Sequence, residues 1–363
     1  MSHDGFLHVS ERSLRSQIVA VLTGWGFGDD AVGAAADGLA WADARGIASH
    51  GIAMLPVYEG WHRDGRFDAA ATPRVVRETA VTATLDGGSG LGFGVARDAM
   101  RLAIAKARSA GLAAVAVRGS NHFGAAGHYA EMAALAGLLG LCTTSTVSAA
   151  IVPTGGRDAR FGTNPIAFAA PGAEGPPFLL DMATSTVALG RLMTAAWRGE
   201  PVPEGWALDA DGRPTTDPQA GYRARRATPL GGLPELSSHK GTGLAAMVEV
   251  LSALLPGATP ATEDAGGRAR GDVGHFVLVL DPAAFRDDDG FGAALDAMCA
   301  RLRATPPVDP ARPVRVAGDP ERAALARSRA EGVPLPLALV DALRGVASRA
   351  GCAWCLHGAG ASV

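Results

Sequence analysis

A chain of 363 residues is long enough for two or three domains around a large core. With 48% hydrophobic and 19% charged residues it reads as globular rather than disordered, and a net charge of −3 argues against nucleic-acid binding. No apolar run is long enough to span a bilayer and the first residues lack a signal-peptide pattern, so no membrane association and a cytoplasmic location are expected.

The first 70 residues read as helical. Ser10 caps a predicted helix running to about Leu22, and Asp30 caps another to about Ala44. Arg45-Gly46-Ile47-Ala48-Ser49-His50-Gly51 interrupts the pattern. A further helix is expected from Met54 to Arg63, with Pro56 tolerated in its first turn. Residues 75–85 are strand-like. The glycine-rich run 86–94 follows, and then a helix over 95–110. No window of that run fits G-x-G-x-x-G and no acidic residue stands about 20 positions on, so it reads as a turn and not as a Rossmann phosphate loop.

Residues 112–117 form an apolar strand, followed by Gly119-Ser120-Asn121-His122-Phe123-Gly124-Ala125-Ala126-Gly127-His128-Tyr129-Ala130 and a helical pattern over 130–139. Strands are expected over 139–146, after the turn Phe161-Gly162-Thr163-Asn164-Pro165, within 178–185 with Asp181 at the strand end, and over 275–280. A helix start follows Asp181. Residues 198–235 read as mostly loop, 241–255 as an apolar helix, and the chain from about Phe291 onward as helical.

Three polar clusters stand at glycine-flanked breaks or strand ends: Ser49-His50, Asn121-His122 and Asp181. An imidazole exchanges a proton near neutral pH, a carboxylate can orient it, and a neighbouring serine can bond the reacting atom. A glycine-flanked histidine after a buried strand lies where open α/β sheets bind ligands. His128 reads as structural, His3, His8 and His62 as surface residues, and His239 and His275 stay undecided. Metal-ligand spacings such as H-x-x-x-H and the G-x-S-x-G elbow are missing, so no metal is expected. Cys352 and Cys355 form a lone C-x-x-C, and the four cysteines read as free thiols. Lys106 and Lys240 are the only lysines. Lys240 in Ser238-His239-Lys240-Gly241 is therefore notable, since a compact ammonium and a planar guanidinium are not interchangeable at a tight site.

These motifs together resemble the type-2 malate/L-lactate dehydrogenase family, which includes ureidoglycolate and sulfolactate dehydrogenases and Δ1-piperideine-2-carboxylate reductases. The matching stretches are Ala44-Arg45-Gly46-Ile47 with Ser49-His50-Gly51, the His122 run, Gly162-Thr163-Asn164-Pro165, residues 180–185, residues 203–209, His239-Lys240-Gly241 and Gly274-His275-Phe276. They run in family order along nearly the whole chain.

The resemblance implies an α/β, non-Rossmann NAD(P)-binding fold with a mixed central sheet. Residues 1–75 with about 305–363 would form a helical domain, and 76–304 the cofactor- and substrate-binding region. It implies a homodimer using NADPH or NADH to reduce the C=O or C=N carbon of a small 2-oxo acid or cyclic imino acid. His50 would donate the proton, assisted by Ser49 and Asp181, although other members assign that role to the counterpart of His122. Cofactor contacts would come from His122, Phe123, Gly124, Ala125, Ala126, Asp181, Met182, Ala183, His239 and Lys240, and substrate contact from Thr163. Met54 stands where the family commonly carries a carboxylate-clamping arginine, which implies another cation in its place or a less charged substrate. Thr242 replaces a common aromatic. A non-catalytic NAD(P)-binding relative and a metal-dependent hydrolase are the alternatives.

Overall fold

The computed structural model describes residues 5–146, 148–263 and 271–358. The chain opens with β1 (Phe6–Val9), α1 (Glu11–Gly24) and α2 (Asp29–Ala44). Ser10 caps α1 by accepting a hydrogen bond from the Ser13 amide, whereas α2 starts one residue before Asp30, after Gly28. Two short 3-10 turns, Ala48–His50 and Ile52–Met54, lead into α3 (Leu55–Arg63), with Pro56 in its first turn.

The central unit runs through β2 (Arg74–Glu78), β3 (Thr82–Asp86), α4 (Gly92–Ala110), β4 (Leu112–Ser120), α5 (Ala126–Leu135), β5 (Leu139–Thr144), β6 (Ile166–Ala170) and β7 (Phe178–Met182). It continues with α6 (Leu189–Arg198), the short strands β8 (Ala207–Leu208) and β9 (Pro214–Thr215), α7 (Pro218–Ala224), α8 (His239–Glu249) and β10 (Val273–Leu280). Helix α8 runs on into a π-helical turn, Val250–Leu254. The C-terminal part holds α9 (Phe291–Arg303), α10 (Asp319–Glu331), β11 (Val333–Pro336) and α11 (Leu337–Arg349).

Seven strands form one sheet in the order β2-β3-β4-β10-β5-β6-β7. Only β3 and β4 pair in parallel; the other neighbours are antiparallel, so the sheet is mixed. Helix α4 covers it with Ala96, Ala99, Met100, Ala103 and Ala107, which share one helical face and are all inaccessible to solvent. The small side chains let the helix lie close on the sheet. A second core joins Leu14, Ile18, Leu39, Leu55 and Tyr58 from the N-terminal helices to Val333, Val340, Leu343 and Val346 from the C-terminal end. Buried Gln17 fastens the two ends further, accepting from the Cys355 amide at 2.7 Å.

The structure differs from the sequence reading in three places. Segments expected to be wholly helical contain β1 and β11, paired antiparallel from Phe6 with Pro336 to Val9 with Val333. Two alternating prolines argue against a strand locally, and only a partner more than 300 residues away makes this one. Helix α5 begins at Ala126, four residues ahead of the apolar pattern, because Asp181 of β7 accepts from the Gly127 amide at 2.7 Å. Residues 198–235, expected as mostly loop, hold β8, β9 and α7.

Candidate active site

Between the helical core and the strand ends of β4, β5 and β10 lies a cleft of about 110 Å³. One wall is lined by His50, Trp61 and Arg66 from the helical segment. The other carries His122, Phe123 and Gly124 after β4, Thr144, Ser145, Thr146 and Ser148 after β5, Thr163 and Pro165 before β6, and Val273 of β10.

The two imidazoles face each other across it, with ring centroids 5.5 Å apart and planes 23° from parallel. His122 Nδ1 lies 2.6 Å from the hydroxyl of buried Tyr58, and the Gly124 amide also points at Nδ1, at 3.4 Å. Two donors at one ring nitrogen make it the acceptor, so the neutral ring carries its proton on Nε2. Burial holds His122 down to about 3, helped by the nearby charges of His50, His275 and Arg66. His50 is lowered by burial alone, and its Nδ1 lies 2.9 Å from Ser49 Oγ. Of the two, His50 is therefore the easier to protonate.

His50 sits on irregular backbone, and one carboxylate fixes it. Asp43 of α2, only 4% exposed, accepts from the Ile52 amide at 2.7 Å. A Cβ on Gly51 would run into that carboxylate, so glycine is what allows the approach. Burial raises Asp43 to about 7. The sequence reading passed over Asp43; its signal was a lone acid in the apolar stretch Leu39-Ala40-Trp41-Ala42. The sheet wall is braced differently. Fully buried His275 takes Thr144 Oγ1 at 2.7 Å on Nδ1 and Ser120 Oγ at 2.8 Å on Nε2, and its ring lies 4.5 Å from that of Phe123.

The structure thus brings together His50, His122, Phe123, Gly124 and Thr163 at one cleft, with Ser49 hydrogen-bonded to His50 but not lining it. Asp181 does not line it; it binds the Gly127 amide, and crowding by protein raises its carboxyl to about 6. Met54 packs against the helical core and is not among the lining residues. Ala125 and Ala126 are buried at the start of α5, and Met182 and Ala183 follow Asp181. His239 and Lys240 are exposed on the first turn of α8. Lys240 has no carboxylate partner among the described residues, which suits it to a phosphate. An exposed ammonium of this kind is chemically suited to the phosphates of a nicotinamide dinucleotide.

His62, expected at the surface, instead stacks on Trp25 with centroids 5.4 Å apart; His3 lies outside the described residues. His128 packs edge-on to Trp41, and burial lowers it to about 4. All four cysteines are free thiols. Among the described residues no three His, Cys, Asp or Glu side chains cluster as a metal site would need, and no helix is long and apolar enough to cross a membrane.

The profile of the malate/L-lactate dehydrogenase family matches residues 9–344. The chain belongs to this family. It is 35% identical to malate dehydrogenase of Pyrococcus abyssi over 96% of each chain. It is 39% identical to the (2R)-3-sulfolactate dehydrogenase (NADP(+)) of Chromohalobacter salexigens over 84% of this chain and 88% of that one. The crystal structure of Δ1-piperideine-2-carboxylate reductase from Pseudomonas syringae superposes with a TM-score of 0.83 at 32% identity, covering 93% and 99% of the two chains. This family member is accordingly an oxidoreductase dependent on a nicotinamide cofactor.

Proposed function

We propose that the protein is an NAD(P)H-dependent reductase of the C=O or C=N carbon of a small 2-oxo acid or cyclic imino acid. The observation that carries this reading is the pair of imidazoles at the cleft, one on each wall. The bound cofactor supplies the hydride to the substrate carbon. His50 gives the proton that the substrate oxygen or nitrogen must take up, with Ser49 Oγ on its Nδ1 holding the ring. His122 stays neutral and offers Nε2–H toward the nicotinamide end. Thr163 presents its hydroxyl to the substrate from the opposite wall. Asp181 supports the cofactor side through the start of α5.

The discriminating experiment follows nicotinamide absorbance with NADH and NADPH against pyruvate, oxaloacetate, a bulky apolar 2-oxo acid, Δ1-piperideine-2-carboxylate and Δ1-pyrroline-2-carboxylate. Preference for the imines makes it a cyclic imine reductase; preference for the keto acids makes it a 2-hydroxyacid dehydrogenase. The same assay identifies the cofactor. No turnover of any of them, with cofactor bound, overturns the reading. A cytoplasmic homodimer is part of the proposal, supported by the exposed apolar stripe Met247, Val250 and Leu254 on α8 and its π-helical extension, and light scattering after gel filtration tests the dimer.

A further inference from the structure

Among the described residues that line the cleft, Arg66 is the one with a fixed positive charge. The other sheltered arginines are paired: Arg45 with Glu131 at 3.0 Å, Arg97 with Asp30 at 2.6 Å and Arg226 with Asp158 at 2.7 Å. Arg66 is partly buried, yet has no carboxylate within reach among the described residues. A cation taken part-way out of water without a counterion is costly to keep, so such a site calls for an anion from elsewhere.

The surroundings hold the guanidinium in place. It lies over the Trp61 ring, 4.4 Å from the centroid. Its Nε approaches Asn121 Oδ1 at 3.4 Å. The Asn121 amide cannot turn, because its Nδ2 donates to Ser89 O and Gly90 O, both at 2.9 Å. The Arg66 backbone is pinned on both sides, donating to Trp61 O at 2.9 Å and accepting from the Gly271 amide at 3.1 Å. Both terminal nitrogens are left without a hydrogen-bond partner among the described residues. That is a planar fork, held in position and unused, in the same small cleft as His50 and His122.

We propose that Arg66, stacked on Trp61 and steadied by Asn121, is the clamp for the carboxylate of the substrate. The inference rests on the proposed 2-oxo or imino acid chemistry and adds the residue that selects for it. A carboxylate taken in a bidentate grip holds the adjacent C=O or C=N carbon in the cleft that the two imidazoles line. It also neutralises the cation whose charge helps to hold His122 down.

The test reads binding apart from turnover. Oxamate, a small carboxylate analogue of a 2-oxo acid, is titrated into the enzyme–NAD(P)H complex and followed by nicotinamide fluorescence. Arg66→Gln should weaken oxamate binding roughly 100-fold while the Kd for the cofactor stays the same. Arg66→Lys, which keeps charge but loses the fork, should fall between the two. The melting temperature of each variant shows that it is folded. Unchanged oxamate affinity in Arg66→Gln overturns the proposal, as does no oxamate binding by the wild type. Equal loss of cofactor affinity would assign Arg66 to the cofactor instead and also overturns it. Failure of the reductase reading shows separately, as no oxidation of NAD(P)H with any acid in the substrate panel.

Discussion

The two walls of the cleft are built on different principles. The sheet wall hangs on β4, β5 and β10, whose ladders run side by side. Its hydroxyls are further locked by His275, which joins Ser120 to Thr144 across the strands. The helical wall carries His50 on two short 3-10 turns, held by the Asp43 carboxylate on the Ile52 amide. One imidazole thus stands on a rigid frame and the other on irregular backbone with a titratable anchor. That difference suits the roles proposed for them: a proton donor gains from being adjustable, and a ring that meets the cofactor gains from being fixed.

Removing either ring should have the largest effect. His50→Ala and His122→Ala are each expected to lower kcat about 10²- to 10⁴-fold with cofactor binding retained, as read from steady-state kinetics and fluorescence titration. If His50→Ala turns over as fast as the wild type, the donor role assigned to the helical wall is wrong.

The anchor itself is expected to titrate. Asp43 is raised in the folded protein to about 7, so it keeps its proton where the unfolded chain has lost it. Its contribution is fully present below about pH 4 and is lost as pH rises through about 7, on the order of 4 kcal/mol at most. Asp43→Asn removes this loss while retaining an acceptor for Ile52. Denaturant unfolding should show the variant gaining on the wild type between about pH 5 and about pH 8. On the sheet wall the sign reverses. His122 and His275 are lowered to about 3, so the unfolded chain takes up protons first as pH falls below about 6.5. The stability they contribute is full above that and is lost toward about pH 3.

Gly51→Ala presses a methyl group onto the Asp43 carboxylate. It should cost about 1–3 kcal/mol in denaturant unfolding and lower kcat with it. The smallest effect belongs to Tyr58→Phe, which takes the hydroxyl from His122 Nδ1. A loss of about 0.5–1.5 kcal/mol is expected, with a shifted acid limb in the pH–rate profile. An unshifted limb would mean that Tyr58 only packs.

Much was legible in the sequence because it was local. Ser10 as a cap, Pro56 in a first helical turn and the apolar run of β4 each follow from a few neighbouring residues. The failed dinucleotide fingerprint at residues 86–94 was local as well, and glycines there form the turn between β3 and α4. The polar breaks at Ser49-His50 and Asn121-His122 announced themselves as chemistry set in apolar surroundings. That the two breaks meet, ring against ring, was not written in either.

Tertiary structure decided the rest, since these effects depend on groups far apart in the chain. It paired β1 with β11 against the local preference of Val-Pro-Leu-Pro, and it drew Asp181 to the start of α5. It left Met54 in the helical core and placed Arg66, an unremarkable arginine in a charged turn, over Trp61 in the cleft. Composition and spacing determine which segments form helices and strands. Which charges end up sheltered without a partner depends on how those segments pack, and the groups proposed for proton transfer and anion binding owe their places to that packing.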